Sequence, residues 1–129
     1  MTQPEPTAVA VARAHVEACH GHDYERARAD LAPDVHAIIT SVDPDAPAAE
    51  TTGIEPYMDV VVQFGEALLP GTTRVSAAMG DETRALLQVS SRARFGPDAP
   101  EMALHGARLY RLDENGKIAE LQVIFYAAQ

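Results

Sequence analysis

His15 and Arg108 are the two side chains whose type and setting best suit them to acid–base and anion chemistry. His15 lies beside an apolar stripe, Val9, Ala12, Val16 and Cys19, in a segment with helical spacing. An imidazole with a reference pKa of about 6.5 can give or take a proton near neutrality. The same position also suits a core-edge histidine bonded to backbone or water. Arg108 alternates with Leu104, Gly106, Tyr110 and Leu112 along a strand-like stretch. A buried guanidinium needs an anionic partner, either a protein carboxylate or the carboxylate, enolate or phenolate of a ligand. Arginine keeps its proton, so it can hold an oxyanion but cannot act as a base. Tyr110 shares that strand face and Tyr57 lies on a central helix; each is a core residue or a hydrogen-bond donor to a ligand.

The remaining candidates are weaker. His20 and His22 follow the first helix, and with His15 and Asp23 they invite a metal reading. Positions 15 and 20 do not share a helix face and no H-E-x-x-H spacing is present, so no metal is predicted. His36 and His105 fall opposite the pocket-facing positions by alternation. Cys19 sits on the core stripe with no basic neighbour and reads as packing.

The elements that must position these groups follow from periodicity and punctuation. Residues 1–6 read as a disordered lead and residues 7–129 as one domain. Thr7 is the expected N-cap of a helix over Ala8–Cys19, ended by Gly21. Asp23 caps a short helix from Tyr24 to about Leu31, closed by Pro33. Residues 35–40 alternate as a strand, and residues 41–53 read as a long loop of the kind that often acts as a lid. Thr52 and Glu55 have capping-box spacing ahead of a helix carrying Tyr57, Val61, Phe64 and Leu68 on one face. Val60 and Val62 make that helix apolar nearly all round, so it should be well buried. After Pro70-Gly71 come strand patterns near 72–79, 84–95, 101–112 and 117–126, with Ala85, Leu87, Val89, Ser91, Ala93 and Phe95 pointing one way. Helices followed by a run of antiparallel strands define an α+β architecture.

Composition bounds the function classes. The chain has 129 residues and a formal charge of −9, which argues against nucleic acid and anionic membrane surfaces as partners. No Lys or Arg occurs between Arg28 and Arg74, which reads as a solvated acidic surface. A single cysteine excludes an intrachain disulfide, and no apolar run is long enough to span a membrane. With no basic or apolar leader, a cytoplasmic location is expected.

Three fragments carry a family resemblance. Ala14-His15-Val16-Glu17-Ala18-Cys19 followed by His22-Asp23-Tyr24, then Leu31-Ala32-Pro33-Asp34-Val35, then Leu109-Tyr110-Arg111-Leu112 with Gly116-Lys117-Ile118, resemble in order and spacing the nuclear-transport-factor-2-like superfamily. That superfamily includes SnoaL-like polyketide cyclases and ketosteroid isomerases. The resemblance spans residues 7–126 and implies a cone-shaped, curved, mostly antiparallel sheet with three helices packed on its concave face. It also implies a pocket between sheet and helices, lined here by Tyr57, Phe64, Tyr110, Leu121 and Val123, that takes a hydrophobic small molecule without a cofactor.

Position by position, the resemblance redistributes the chemistry. His15 stands where the isomerases carry a tyrosine oxyanion donor. Ile39 stands at their catalytic base, Arg108 at their second aspartate, and Val123 where epoxide hydrolases carry an acid. The expected roles are therefore His15 as acid or base and Arg108 as oxyanion stabiliser in cyclase-, isomerase- or dehydratase-like chemistry. The alternative is a non-catalytic ligand-binding or dimerisation module of the same fold. Ala103, Ala107, Leu109, Ile118, Ile124 and Tyr126 are expected on the face without helices, where the resemblance implies a homodimer through the sheet.

Overall fold

The computed structural model describes residues 5–41, 43 and 45–126. The expected lead falls outside these as far as residue 4, and its last two residues, Glu5 and Pro6, precede the first helix. Three helices and six strands follow in the order α1 (Thr7–His20), α2 (Tyr24–Ala29), β1 (Leu31–Ile39), β2 (Ala49–Thr52), α3 (Ile54–Ala67), β3 (Arg74–Gly80), β4 (Arg84–Ala93), β5 (Met102–Leu112) and β6 (Ile118–Tyr126). The strands form one curled sheet in the order β2-β1-β6-β5-β4-β3. Only β1 and β6 run parallel. This is the α+β fold that the sequence implies, with the helices on one sheet face. No helix among the described residues is long and apolar enough to cross a membrane.

α1 is held by its stripe. Ala8, Val9, Ala12, His15, Val16 and Cys19 recur at helical spacing and are all buried. Thr7 is the first helical residue rather than the N-cap; Pro6 takes that place with no side-chain cap, and the Thr7 hydroxyl bonds Glu82 instead. The Gly21 N–H closes the helix on the Glu17 carbonyl at 2.9 Å. Asp23 does cap α2, accepting from the Arg26 N–H at 3.4 Å. That helix stops at Ala29, two residues short of expectation, because Leu31 already pairs with Ile118 as the first residue of β1. Pro33 therefore lies inside a strand. It is tolerated because the β1–β6 ladder is irregular between Leu31 and His36, where a missing N–H breaks no pairing.

Residues 41–53 are not one loop. Ala49–Thr52 form edge strand β2 against β1, with His36 opposite Thr52 and Ile39 opposite Ala49. The N-cap of α3 is Gly53, not Thr52, and no side chain caps this helix. Gly53 has φ +98°, a left-handed conformation that glycine alone adopts without strain, and its N–H bonds the Val35 carbonyl at 2.8 Å. α3 is also less buried than its composition implies. Only Tyr57, Met58 and Gly65 are fully buried, while Val60, Val61 and Val62 stay partly open. The reason is that one side of α3 faces a cavity instead of a packed neighbour.

The inward alternation of β4 holds from Ala85 to Ala93, but Phe95 lies beyond the strand end and is exposed at the cavity rim. Ile118 is a second departure: it is fully buried, not on the outer face. Leu112 pairs with Ile118 but Arg111 with Glu120, so β6 carries one extra residue there. An extra residue inverts the side-chain alternation and turns Ile118 into the core.

Candidate functional site

Between α1, α3 and the β1–β6–β5 part of the sheet lies a cavity of about 470 Å³. Its upper wall is apolar, with Val60, Val61 and Phe64 from α3 and Phe125 from β6. The Phe64 ring lies 5.1 Å from Phe125 and 6.0 Å from Phe95, centre to centre. Its floor is polar and is built from Cys19, His20, Tyr57 and Arg108. A cavity of this size and character suits a small, mostly apolar ligand with one or two polar anchors.

Arg108 reaches the floor because β5 alternation turns it inward between Gly106 and Tyr110, with Val123 and Leu87 as its lateral neighbours. It is 8 % exposed. No carboxylate lies within ion-pairing distance among the described residues. Its Nη2 donates to His20 Nε2 at 3.1 Å, and its Nε has no acceptor. Of the two partners expected from sequence, a protein carboxylate is thus not the one present. Burying a permanent cation against a neutral ring leaves a strong preference for an anion.

His20 is the residue that sequence reasoning missed. The spacing puts it after the first helix, but it is the last residue of α1, one turn beyond Val16. That i+4 spacing from a core valine was the available signal. Burial and the Arg108 guanidinium push its pKa down to about 3. A neutral ring accepts from Arg108 at Nε2, so its proton sits on Nδ1 and donates to Thr73 Oγ1 at 2.5 Å. His20 therefore orients the guanidinium and does not compete with it as a charge.

His15 is 1 % exposed and stands behind the floor, not on the cavity wall. Its Nε2 lies 2.8 Å from Tyr57 Oη, and its ring stacks on Tyr57 at 5.8 Å between centres. On the other side, Nδ1 faces Asp30 Oδ2 at 3.5 Å, and neither atom has another partner. Burial alone lowers the pKa of His15, but Cys19 and Asp30 outweigh it and bring it to about 9. As an imidazolium, His15 donates from Nε2 to the Tyr57 oxygen and leaves the Tyr57 O–H free to donate onward. Burial, then the neighbouring Cys19, pushes the Tyr57 pKa well above the ordinary phenol value, so the hydroxyl keeps its proton. Asp30, His15 and Tyr57 form a chain that ends at the cavity. Asp30 was not legible as a member because its contact is made by folding, 15 residues away in sequence.

Of the other residues expected to face a ligand, Tyr57, Phe64 and Val123 line the cavity, and Ile39 lines it too. Tyr110 and Leu121 do not; both belong to the packed core, with Tyr110 edge-on to His15 at 6.3 Å. His22 bonds the Gly65 carbonyl at 2.8 Å and ties the α1–α2 turn to α3. A side chain at Gly65 would press on the Tyr24 hydroxyl and force that ring to shift. His36 pairs with Glu50 at 2.7 Å and His105 stacks on Tyr126, both on the helix-free face. No group of three or more His, Cys, Asp or Glu side chains among the described residues is arranged to hold a metal ion.

Known proteins place this architecture. A protein from Kribbella flavida DSM 17836 superposes with a TM-score of 0.75 at 22% identity, covering 93% of this chain and 87% of that one. A protein from Shewanella denitrificans OS-217, provisionally assigned as a SnoaL-like polyketide cyclase, superposes with a TM-score of 0.73 at 13% identity over 95% and 92% of the two chains. A protein with a ketosteroid isomerase-like fold from Catenulispora acidiphila DSM 44928, solved in complex with trimethylamine, gives 0.73 at 16% identity over 98% and 88%. Among curated proteins, none matches the sequence at a significant level. At these identities the structures establish the fold alone. The SnoaL-like domain family, in contrast, matches residues 12–121 directly in sequence. The chain belongs to the SnoaL-like family, within the nuclear-transport-factor-2-like superfamily.

Proposed function

We propose that this SnoaL-like domain binds a small apolar ligand carrying one negative or strongly polarised oxygen, a carboxylate, enolate or phenolate, and that it does so in the cytoplasm. The observation that carries the reading is Arg108, a buried cation at the floor of an apolar cavity with a neutral histidine, and no carboxylate, as its partner. In the catalytic form of the proposal, the reaction is a cofactor-independent isomerisation, cyclisation or dehydration. Arg108 stabilises charge that develops on the ligand oxygen, and Tyr57 supplies a hydrogen bond or proton that His15 and Asp30 tune from behind. His15 thus acts through Tyr57, not by touching the ligand.

Titration with 2-naphthoate against the neutral 2-naphthalenemethanol tests the reading. Naphthoate should bind at least about tenfold more tightly, a difference of about 1.4 kcal/mol, and Arg108→Gln should erase that margin. Equal affinities for the two probes contradict it.

One observation favours a second reading, ligand binding without turnover. Ile39 and Val123 put hydrocarbon on the cavity wall at the positions where related enzymes carry carboxylates. The proposal further includes a homodimer through the helix-free face, where Met79, Leu86 and Leu109 lie side by side across β3, β4 and β5 and are all exposed.

A further inference from the structure

The cavity floor holds a nucleophile that the chemistry above leaves unused. Cys19 lines the cavity, one helical turn after His15 on the same face of α1. Its Sγ lies 3.5 Å from His15 Nε2, the nitrogen that the Tyr57 hydroxyl also meets at 2.8 Å. Behind His15, the Asp30 carboxylate faces Nδ1. These are the parts of an activated thiol: a sulfur, an imidazole beside it that can hold its proton, and a carboxylate behind that imidazole. The second, independent observation is Arg108. It is buried, lines the same cavity, and has no carboxylate partner among the described residues.

We propose that Cys19 is a nucleophilic site for small carboxylates that bear an electrophilic carbon, with Arg108 holding the carboxylate and the His15 imidazolium holding the proton that Sγ gives up. The assignment of the carboxylate to Arg108 rests on the function proposed above. With an α,β-unsaturated carboxyl compound, the S–C bond forms at the β-carbon and the C=C π bond breaks. Its electron pair moves onto the carboxyl oxygens as an enolate held by Arg108. The proton that left Sγ returns from His15 to the α-carbon, so the net change is addition of S–H across the double bond. With an α-halo acid, the S–C bond forms as the C–halogen bond breaks, halide departs with its pair, and the thiol proton stays on His15. The titratable and charged groups facing this site are His15 and His20 from α1, Asp30 before β1, Tyr57 from α3, and Arg108 and Tyr110 from β5.

The chain has one cysteine, so intact-protein mass spectrometry reads the reaction without ambiguity. Alkylation rates with iodoacetate and with neutral iodoacetamide are compared for the folded protein and for the urea-unfolded chain. Folding should shift the rate ratio about tenfold towards iodoacetate. Saturating 2-naphthoate should protect Cys19 in the wild-type protein, a control that needs no variant. His15→Gln, checked for folding by circular dichroism, should slow both reagents at pH 7. A folded protein that shows no shift in ratio and no protection, while still binding 2-naphthoate at Arg108, overturns the Cys19 proposal alone. Loss of naphthoate selectivity together with loss of the iodoacetate preference overturns both readings.

Discussion

The two ends of the space between helices and sheet are built on one plan and finish differently. At one end, α1 lies on β3, β4 and β5. Its inward positions are small, with Ala8, Ala12 and Val16, so the helix settles onto Ala85, Leu87 and Val89 in one buried cluster. At the other end, α3 covers β1 and β6 with larger residues, Tyr57, Val61 and Phe64, yet stands off the sheet and leaves a cavity. The polar floor sits at the seam between the two, where α1 ends in Cys19 and His20, with His15 behind them. The contrast teaches that the hydrophobic pattern specifies which face is inward, while side-chain volume decides whether that face is filled.

The largest test of this contrast is on stability. Leu87→Ala empties a filled site and should cost about 3 kcal/mol by denaturant unfolding. Phe64→Ala at the cavity wall should cost clearly less, because its ring is partly exposed and already borders the cavity. Equal losses would erase the distinction between the two ends.

Next in size is Arg108. Arg108→Met removes a buried cation that has no protein counter-charge, so the fold should gain about 1 kcal/mol while 2-naphthoate affinity drops. A loss of stability would mean that the guanidinium serves the core rather than the ligand.

The seam also predicts a pH profile. His15 has its folded pKa raised to about 9 from 6.5, so its stabilisation is complete below 6.5 and is lost as pH rises through 9. His20 has its folded pKa lowered to about 3, so its neutral burial favours the fold above 6.5 and is undone as pH falls towards 3. The melting temperature should peak near pH 6.5 and fall on both sides. His15→Gln should flatten the alkaline limb and His20→Asn the acid limb. A profile unchanged by both variants would refute the assigned charge states.

The smallest effect on stability belongs to the outer face. Leu86→Lys should change unfolding free energy by no more than about 0.5 kcal/mol, as is usual for exposed sites, yet turn a dimer into a monomer in sedimentation. A wild-type protein that sediments as a monomer would remove the proposed interface.

Much of this was written into the sequence. The stripe of α1, the alternation of β4 and the inward turn of Arg108 are all periodic signals, and burial enforces them. What escaped was set by tertiary geometry. β2 is a four-residue polar edge strand with no alternation to read. The inversion at Ile118 depends on an inserted residue in β6 that only pairing with β5 reveals. Asp30 reaches His15, and His20 reaches Arg108, across folded distances that no local spacing encodes. Tyr110 and Leu121 share the inward face with Arg108 and Val123 but lie outside the cavity, because alternation gives the face and not the depth along it.

The central claim is that Arg108 makes this cavity an anion-selective binding site. The most direct measurement is a crystal structure of the protein with 2-naphthoate. The account predicts the naphthalene between Phe64 and Val123, with a carboxylate oxygen within about 3 Å of a guanidinium nitrogen of Arg108. Naphthoate bound with its carboxylate pointing to solvent, or a cavity left empty at saturating naphthoate, would contradict it.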